Sequence, residues 1–321
     1  MVFADSVMKK DVLALTNAIT DIFIGVTDKE LEELGLRKGV LNDKELFYGS
    51  PLFKGIVDRD QELIPGGSSA NVAHGTAILG LKSGLMGTIG KDKIGELYKK
   101  GLRKSGLENL LVKIEGESGV CYILVTPDGE KTPISDLKVS KQFLIYHNKF
   151  NDYHIFHTSG YELITNPEKV LEAMGYAKKK GLRISFDLAD PSVPRKITKE
   201  VDQAMRLVDY LTLTEKELEA YTDLGLEKAV SAIQGRHELI AVKKGAKGSE
   251  ILTKQERIEI PTCPTCLVNT TGAGDAYSAG LLKGISRGWN PEACGRLGSY
   301  VAAQVCAQQG ARLQKLKTRK Y

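Results

Sequence analysis

Residues 269–280 read NTTGAGDAYSAG, and from Ala276 the chain runs on through the apolar stretch AYSAGLLKGIS (276–286). A glycine-rich turn that opens an apolar helix leaves the first backbone N–H groups unpaired, at the positive end of the helix dipole. Asp275 suits such a start as a capping residue, but capping does not explain the glycines before it. Glycines let backbone N–H groups come close to a ligand, so turn and helix start together make an anion site. An aspartate on the rim of an anion site is electrostatically unfavourable unless chemistry needs it. Its use there is to take the proton of a hydroxyl that attacks phosphorus, while the loop amides hold the charge developing on the transferred group. The stretch therefore predicts phosphoryl transfer.

Around this loop the chain alternates between two kinds of segment. DVLALTNAI, SGLMGTIG, YHIFHTSG, LRISFDLA, YLTLT and ELIAVKKG read as strands, most of them nearly continuous in apolar residues, as strands covered on both faces are. Between them SSANVAHGTAILG, KIGELYKKGLRKSG, NPEKVLEAMGYAKKKG, ITKEVDQAMRLVD and TEKELEAYTD read as helices. Asn166-Pro167 and Asn290-Pro291 mark two helix starts, and Gly181 stands where a helix should end. The alternation predicts an α/β fold with a parallel central sheet and helices on both faces.

Two segments break the rhythm. DIFIGVTDKELEELGLRKGVLNDKE follows the first strand, and IEGESGVCYILVTPDGEKTPIS alternates like a hairpin about Pro127-Asp128-Gly129. They read as a small β-sheet lid, built from residues 21–53 and 113–136, on a large α/β domain built from 1–20, 54–112 and 137–321.

The bulk numbers exclude other classes. A net charge of +5 over 321 residues is too mild for nucleic-acid binding, and RLQKLKTRKY (312–321) reads as a solvated basic tail. No apolar run approaches the roughly 20 residues of a membrane span. The first residues show no small-residue cleavage site, and five cysteines without regular spacing fit a reducing compartment. The expectation is a cytoplasmic protein. Cys263-Pro-Thr-Cys266 has zinc-like spacing, but no second pair of ligands accompanies it.

A second glycine cluster, IPGGSSANVAHGTAILG (64–80), places Gly66 and Gly67 before a helix, with Ser68 and Ser69 as caps and Asn71 one turn in, facing the loop side where it can bond a polyol. No Walker loop competes: in GTAILGLKS (75–83) Leu81 stands where the lysine is required, and GLMGTIGKD (84–92) has the wrong spacing. A dinucleotide-binding dehydrogenase is excluded by TNAITD, which follows the first strand in place of G-x-G-x-x-G.

PGGSSANVA (65–73) followed by NTTGAGDAYSAG resembles the two signatures of the ribokinase-like, or PfkB, carbohydrate kinases. The resemblance implies a three-layer Rossmann-like domain with a β lid, and transfer of the γ-phosphate of ATP, with Mg²⁺, to a primary hydroxyl. Carried over, it makes Asp275 the catalytic base and the amides of Gly272, Ala273 and Gly274 the anion hole. Asn17 and Asp21 in TNAITD, with Gly66, Gly67 and Asn71, become the acceptor contacts, the acidic and amide side chains being types that pair vicinal hydroxyls. KKGAKGS (243–249) matches the nucleotide turn, with Lys243 where many members have Thr, and Gly245, Gly248 and Thr271 complete that set. The family's Asn-x-x-Glu appears as Thr214-Glu215-Lys216-Glu217, so Glu217 is the metal residue, acting through water. Asn269 replaces the first Asp of the signature, which often belongs to a monovalent-cation loop, and Ser299 stands about where an adenine-facing Asn is often found, so potassium and the adenine contacts stay open.

For the acceptor, the stretch 16–42 and the hairpin end DGEKT, with Lys131 for Arg, resemble adenosine kinases, while PGGSSANVA is closer to bacterial sugar kinases. The expectation is a nucleoside kinase, adenosine first, as a monomer or homodimer. A fructose- or ribose-type sugar kinase is the alternative, and a weakly catalytic sensor the second. An apolar lid surface favours a base: Phe23, Phe47, Cys121 and Ile123 are the candidates, against a place in the lid core.

Overall fold

The computed structural model describes residues 9–39, 42, 49–103 and 105–316; Phe47 lies outside them. The strands are β1 (Lys10–Leu15), β2 (Ile19–Gly25), β3 (Glu62–Pro65), β4 (Ser83–Gly90), β5 (Glu108–Ile114), β6 (Gly119–Val125), β7 (Lys131–Asp136), β8 (Tyr153–Ser159), β9 (Arg183–Asp187), β10 (Tyr210–Thr214), β11 (Leu239–Lys243), β12 (Ser249–Leu252) and β13 (Arg257–Ile260). Nine of them form one sheet, in the order β13-β12-β11-β10-β9-β8-β1-β4-β5, and the other four form a second, β3-β2-β6-β7.

The six apolar runs are the six adjacent parallel strands from β11 to β4. Alternate side chains serve two helical layers. Leu13, Leu15, Phe156, Ile184 and Phe186 pack with Val170, Ala173, Met174 and Ala177 of the helix Pro167–Lys179. On the other face Val12, Ile155 and Ala241 pack with Val72, Ala279, Leu281 and Leu282, from the helices Ser68–Ile78 and Ala273–Ser286. Asn166 and Asn290 cap their helices as the dipeptides predict, accepting from Lys169 and Ala293 N–H. Among the described residues no helix is long and apolar enough to cross a membrane.

The structure departs from the sequence reading at the edges. The antiparallel hairpin β12–β13 extends the large sheet beyond β11, where two four-residue strands were too short to register as a periodic run. All of β5 pairs with β4, and β3 pairs with β2, so residues 113–114 lie in the large sheet and Glu62–Pro65 in the small one. The basic tail is not simply solvated. Leu313 is buried against Ala276, Val301 and Val305, and its carbonyl accepts from His74 Nε2 at 2.9 Å.

The small sheet has two unlike faces. Ile22, Ile24, Val120, Tyr122, Leu124 and Ile134 point one way, into a core closed by Phe53 and Ile56 of the helix Pro51–Val57. The opposite face carries Asp21 and Phe23 of β2, in register with Cys121 and Ile123 of β6. It turns towards the large sheet: Lys131 Nζ lies 5.7 Å from the centre of the Phe23 ring and donates to Asn269 Oδ1 at 2.9 Å. Phe23 and Ile123 are only half-buried. Ile24→Ala is therefore expected to cost about 2–4 kcal/mol, and Phe23→Ala less than about 1 kcal/mol, in urea unfolding.

Candidate active site

The glycine loop enters the helix Ala273–Ser286 through Gly272, whose φ is +79°. A Cβ there would lie 2.2 Å from the Ala311 carbonyl oxygen, so only glycine fits between the loop and the segment behind it. The Ala273 N–H is engaged by the Thr270 carbonyl at 3.1 Å, whereas the Gly274 N–H has no partner among the described residues.

Asp275 sits in the first turn of that helix. Its Oδ1 accepts from Ser68 Oγ at 2.7 Å and its Oδ2 from Asn71 Nδ2 at 2.8 Å. Burial pushes its pKa up to about 7; the Ser68 and Asn71 hydrogen bonds oppose the rise, Asp187 adds to it and Lys243 opposes it. A carboxylate balanced near neutrality has the basicity that a general base needs.

Beneath the loop lies a compact charge cluster. Lys243, at the end of β11, donates from Nζ to Asp187 Oδ2 at 2.7 Å, and a Cβ added to Gly274 would sit 3.3 Å from that nitrogen. Burial alone would depress the Lys243 pKa, but the carboxylates of Asp187, Glu217 and Asp275 push it up. Asp187 also accepts from Ser278 Oγ at 3.0 Å and stays below the usual carboxylate range despite burial, chiefly because of Lys243. Glu217 is raised by burial against the pull of Lys243. Its Oε2 accepts from Thr214 N–H at 2.8 Å while Thr214 Oγ1 accepts from Glu217 N–H, a capping box that explains why Thr serves where Asn was expected. Gly245 and Gly248 flank the turn from β11 to β12, and Thr271 is exposed on the glycine loop.

On the acceptor side Asp21 rests on Gly66, where a Cβ would come within 2.6 Å of both carboxylate oxygens. Burial pushes the Asp21 pKa up to about 7; Arg312 and Lys131 lower it and Asp275 raises it. Asn71 joins this side to Asp275, and Gly67 opens its helix. Asn17 is placed otherwise. Its Nδ2 donates to the Tyr161 carbonyl and to Thr165 Oγ1, both at 3.2 Å, its Oδ1 is buried without a hydrogen-bond partner, and no hydrogen bond joins its side chain to Asp21 or Asp275.

Besides Asp187, the structure brings here five residues that sequence reasoning left without a site role. Ser68 and Ser69 are not caps: Ser68 holds Asp275, and Ser69 Oγ donates to Glu162 Oε2 at 2.8 Å. Glu162, fully buried, also accepts from Asn17 N–H at 3.0 Å and Ser159 Oγ at 2.6 Å, tying the ends of β1 and β8 to the second glycine cluster. Lys131 reaches from the lid to Asn269 and, at 3.4 Å, to Thr271 Oγ1. Arg312 donates from Nε to Asn71 Oδ1 at 2.9 Å and from Nη2 to the Gly66 carbonyl at 3.0 Å. The capping box Ser159–Glu162 was the available signal for Glu162, whereas Arg312 carried none. Cys263 and Cys266 are free thiols in the irregular segment between β13 and the loop.

Comparison with known proteins bears on the family and the fold. The model of the pfkB family carbohydrate kinase matches residues 55–319. A fructokinase of Klebsiella pneumoniae is 28% identical over 291 residues, 83% of this chain and 92% of that protein. A nucleoside kinase of Methanocaldococcus jannaschii is 28% identical over 249 residues, 76% of this chain and 80% of that one. Among solved structures, an adenosine kinase from Sinorhizobium meliloti superposes with a TM-score of 0.85 at 27% identity, covering 95% of this chain and 96% of that one.

The buried carboxyl of Asp275 has a consequence for stability. Its folded pKa, about 7, lies above the ordinary aspartate value of 3.8, so the folded state holds the extra proton and stability falls as pH rises from about 4 to about 7. Asp275→Asn removes that charge and keeps hydrogen-bonding partners for Ser68 and Asn71. The variant is expected to be more stable than the parent by about 1–3 kcal/mol at pH 8, with the gain shrinking towards pH 5, as measured by urea unfolding at the two pH values.

Proposed function

The chain belongs to the pfkB carbohydrate kinase family, a kinase family with ATP as phosphate donor, and on that premise we propose that it phosphorylates the 5′-type primary hydroxyl of a nucleoside, adenosine first. The observation that carries the acceptor class is the apolar face of the lid. Phe23, Cys121 and Ile123 lie opposite the lid core rather than in it, on the side of Asp21. Such a surface suits a flat heterocyclic base, while Asp21 at one end supplies the polar group a ribose needs. The likeness to the adenosine kinase of Sinorhizobium meliloti and to the nucleoside kinase of Methanocaldococcus jannaschii supports the same reading.

In this reading the acceptor hydroxyl lies against Asp275, which takes its proton as the oxygen attacks phosphorus. The loop amides, Gly274 first, receive the negative charge of the transferred group. Lys243 below the loop and Lys131 above it supply positive charge on two sides of that position. Gly245, Gly248 and Thr271 border the nucleotide. Asn17 acts through the backbone, its N–H bound to Glu162 and its carbonyl packed where a Gly67 Cβ would stand, at 2.5 Å.

No cluster of three or more acidic, histidine or cysteine ligands exists among the described residues. The single carboxylate of Glu217 fits Mg²⁺, which keeps most of its own water and arrives with the nucleotide phosphates. Glu217, with one oxygen engaged by Thr214 N–H, is the residue that would hold it, through water. When bound, the ion neutralises phosphate charge.

A sugar acceptor is the second reading, carried by the PGGSSANVA loop and the likeness to the Klebsiella pneumoniae fructokinase. An ADP-release assay with ATP and Mg²⁺ against adenosine, inosine, cytidine, ribose and fructose decides between them. Turnover on a nucleoside is expected, and turnover on free sugars alone would move the assignment to a sugar kinase. Asp275→Asn should lower kcat by about two to four orders of magnitude. Phe23→Ala should raise the KM for the nucleoside about tenfold with kcat little changed.

A further inference from the structure

We propose that Arg312, contributed by the segment that follows the last helix, is a positioning residue for the base: it holds the Asn71 amide in the orientation that presents N–H to Asp275. The inference rests on Asp275 being the base, but not on which acceptor is used.

A primary amide has a donor end and an acceptor end, and only the donor end is compatible with an ionised carboxylate. Asn71 sits with Nδ2 on Asp275 Oδ2 at 2.8 Å, and its Oδ1 meets Arg312 Nε at 2.9 Å. A guanidinium offers donors alone, so it accepts no partner but the amide oxygen, and that choice settles which end faces Asp275. Without it the amide is free to rotate, and the reversed rotamer sets oxygen against oxygen. The guanidinium is itself held. Its Nη2 donates to the Gly66 carbonyl at 3.0 Å, an oxygen that also receives the Tyr98 hydroxyl at 3.0 Å, and its centre lies 5.7 Å from the Tyr98 ring. Buried Leu313, whose carbonyl bonds to His74, and Ala311, pressed against Gly272, anchor the segment on both sides.

The charged and titratable groups around Asp275 are Asp187 from β9, Lys243 from β11 and Tyr161 from the helix Gly160–Thr165, with Asp21 from β2 beyond them. Those around Arg312 are Asp21, Tyr98 and His74. Arg312 therefore reaches the base through Asn71, and it lowers the Asp21 pKa directly. Loss of the guanidinium frees the Asn71 amide to turn its oxygen towards Asp275, which leaves the base more protonated at neutral pH.

The test compares the parent with Arg312→Met by ¹³C NMR titration of aspartate carboxyls in the protein alone, and by the pH dependence of kcat with ATP and adenosine. The titration midpoint of Asp275, identified from the signal lost in Asp275→Asn, should rise by about half to one pH unit. At pH 7 kcat should fall about two- to fivefold, with its acidic limb moved upward and the adenosine KM changed less than about threefold. Arg312→Lys, which keeps the charge without the fork, should recover part of the loss. A residue that merely supports the fold would lower the folded fraction and leave the midpoint of the folded protein in place. An unchanged Asp275 midpoint in Arg312→Met, or in Arg312→Gln should the Met variant fold poorly, overturns the proposal. If the parent shows no turnover on adenosine, the acceptor assignment falls and the carboxyl titration still decides the role of Arg312.

Discussion

Four carboxylates converge at one end of the large sheet, and the site depends on keeping them there together. Asp275, Asp187, Glu217 and Asp21 each lose solvation by burial, and the repulsion between neighbours adds to that penalty. Unbalanced, such a group would take up protons until little charge was left. Three cations prevent this, and each comes from a different part of the chain: Lys243 from the end of a central strand, Lys131 from the lid and Arg312 from the segment after the last helix. Lys243 is the deepest and binds one carboxylate outright, so Asp187 stays ionised while Asp275 is left near neutrality. One lysine thereby separates a fixed charge from a titratable one among acids of the same kind.

This arrangement accounts for two departures from the family's pattern. Lysine in place of threonine at position 243 brings a permanent positive charge beneath the glycine loop, within 3.3 Å of where a Gly274 Cβ would stand. Asn269, in place of an acidic residue, accepts from Lys131 of the lid and from the Thr271 N–H at 3.0 Å. The position that would have been negative is a neutral bridge between lid and loop.

Much of this was legible in the chain, for identifiable reasons. A strand covered on both sides must be apolar along its whole length, so the six central strands stood out, and so did the helices that begin with Asn-Pro. The glycine loop was legible because glycine before an acidic first turn has few other uses. Short edge strands such as Ser249–Leu252 escaped, since four residues carry too little periodicity. Arg312 and Lys131 escaped for a different reason. Each is one cation among 45 lysines and arginines, and its role is set by a partner brought near only by the tertiary fold. The second glycine cluster shows the intermediate case: its glycines were found, but its serines were given to the helix when they belong to two buried carboxylates.

The hydrogen bond from Ser68 to Asp275 joins residues 207 positions apart, and that from Arg312 to Asn71 spans 241. Closing loops of that length costs more chain entropy than forming local helices or pairing neighbouring strands. Until they are closed Asp275 lies in water as an ordinary aspartate beside an unformed loop. A chain with most of its helices in place but these contacts unmade has its site residues still apart. The residues of the site are brought together only by the long-range closure that completes the fold.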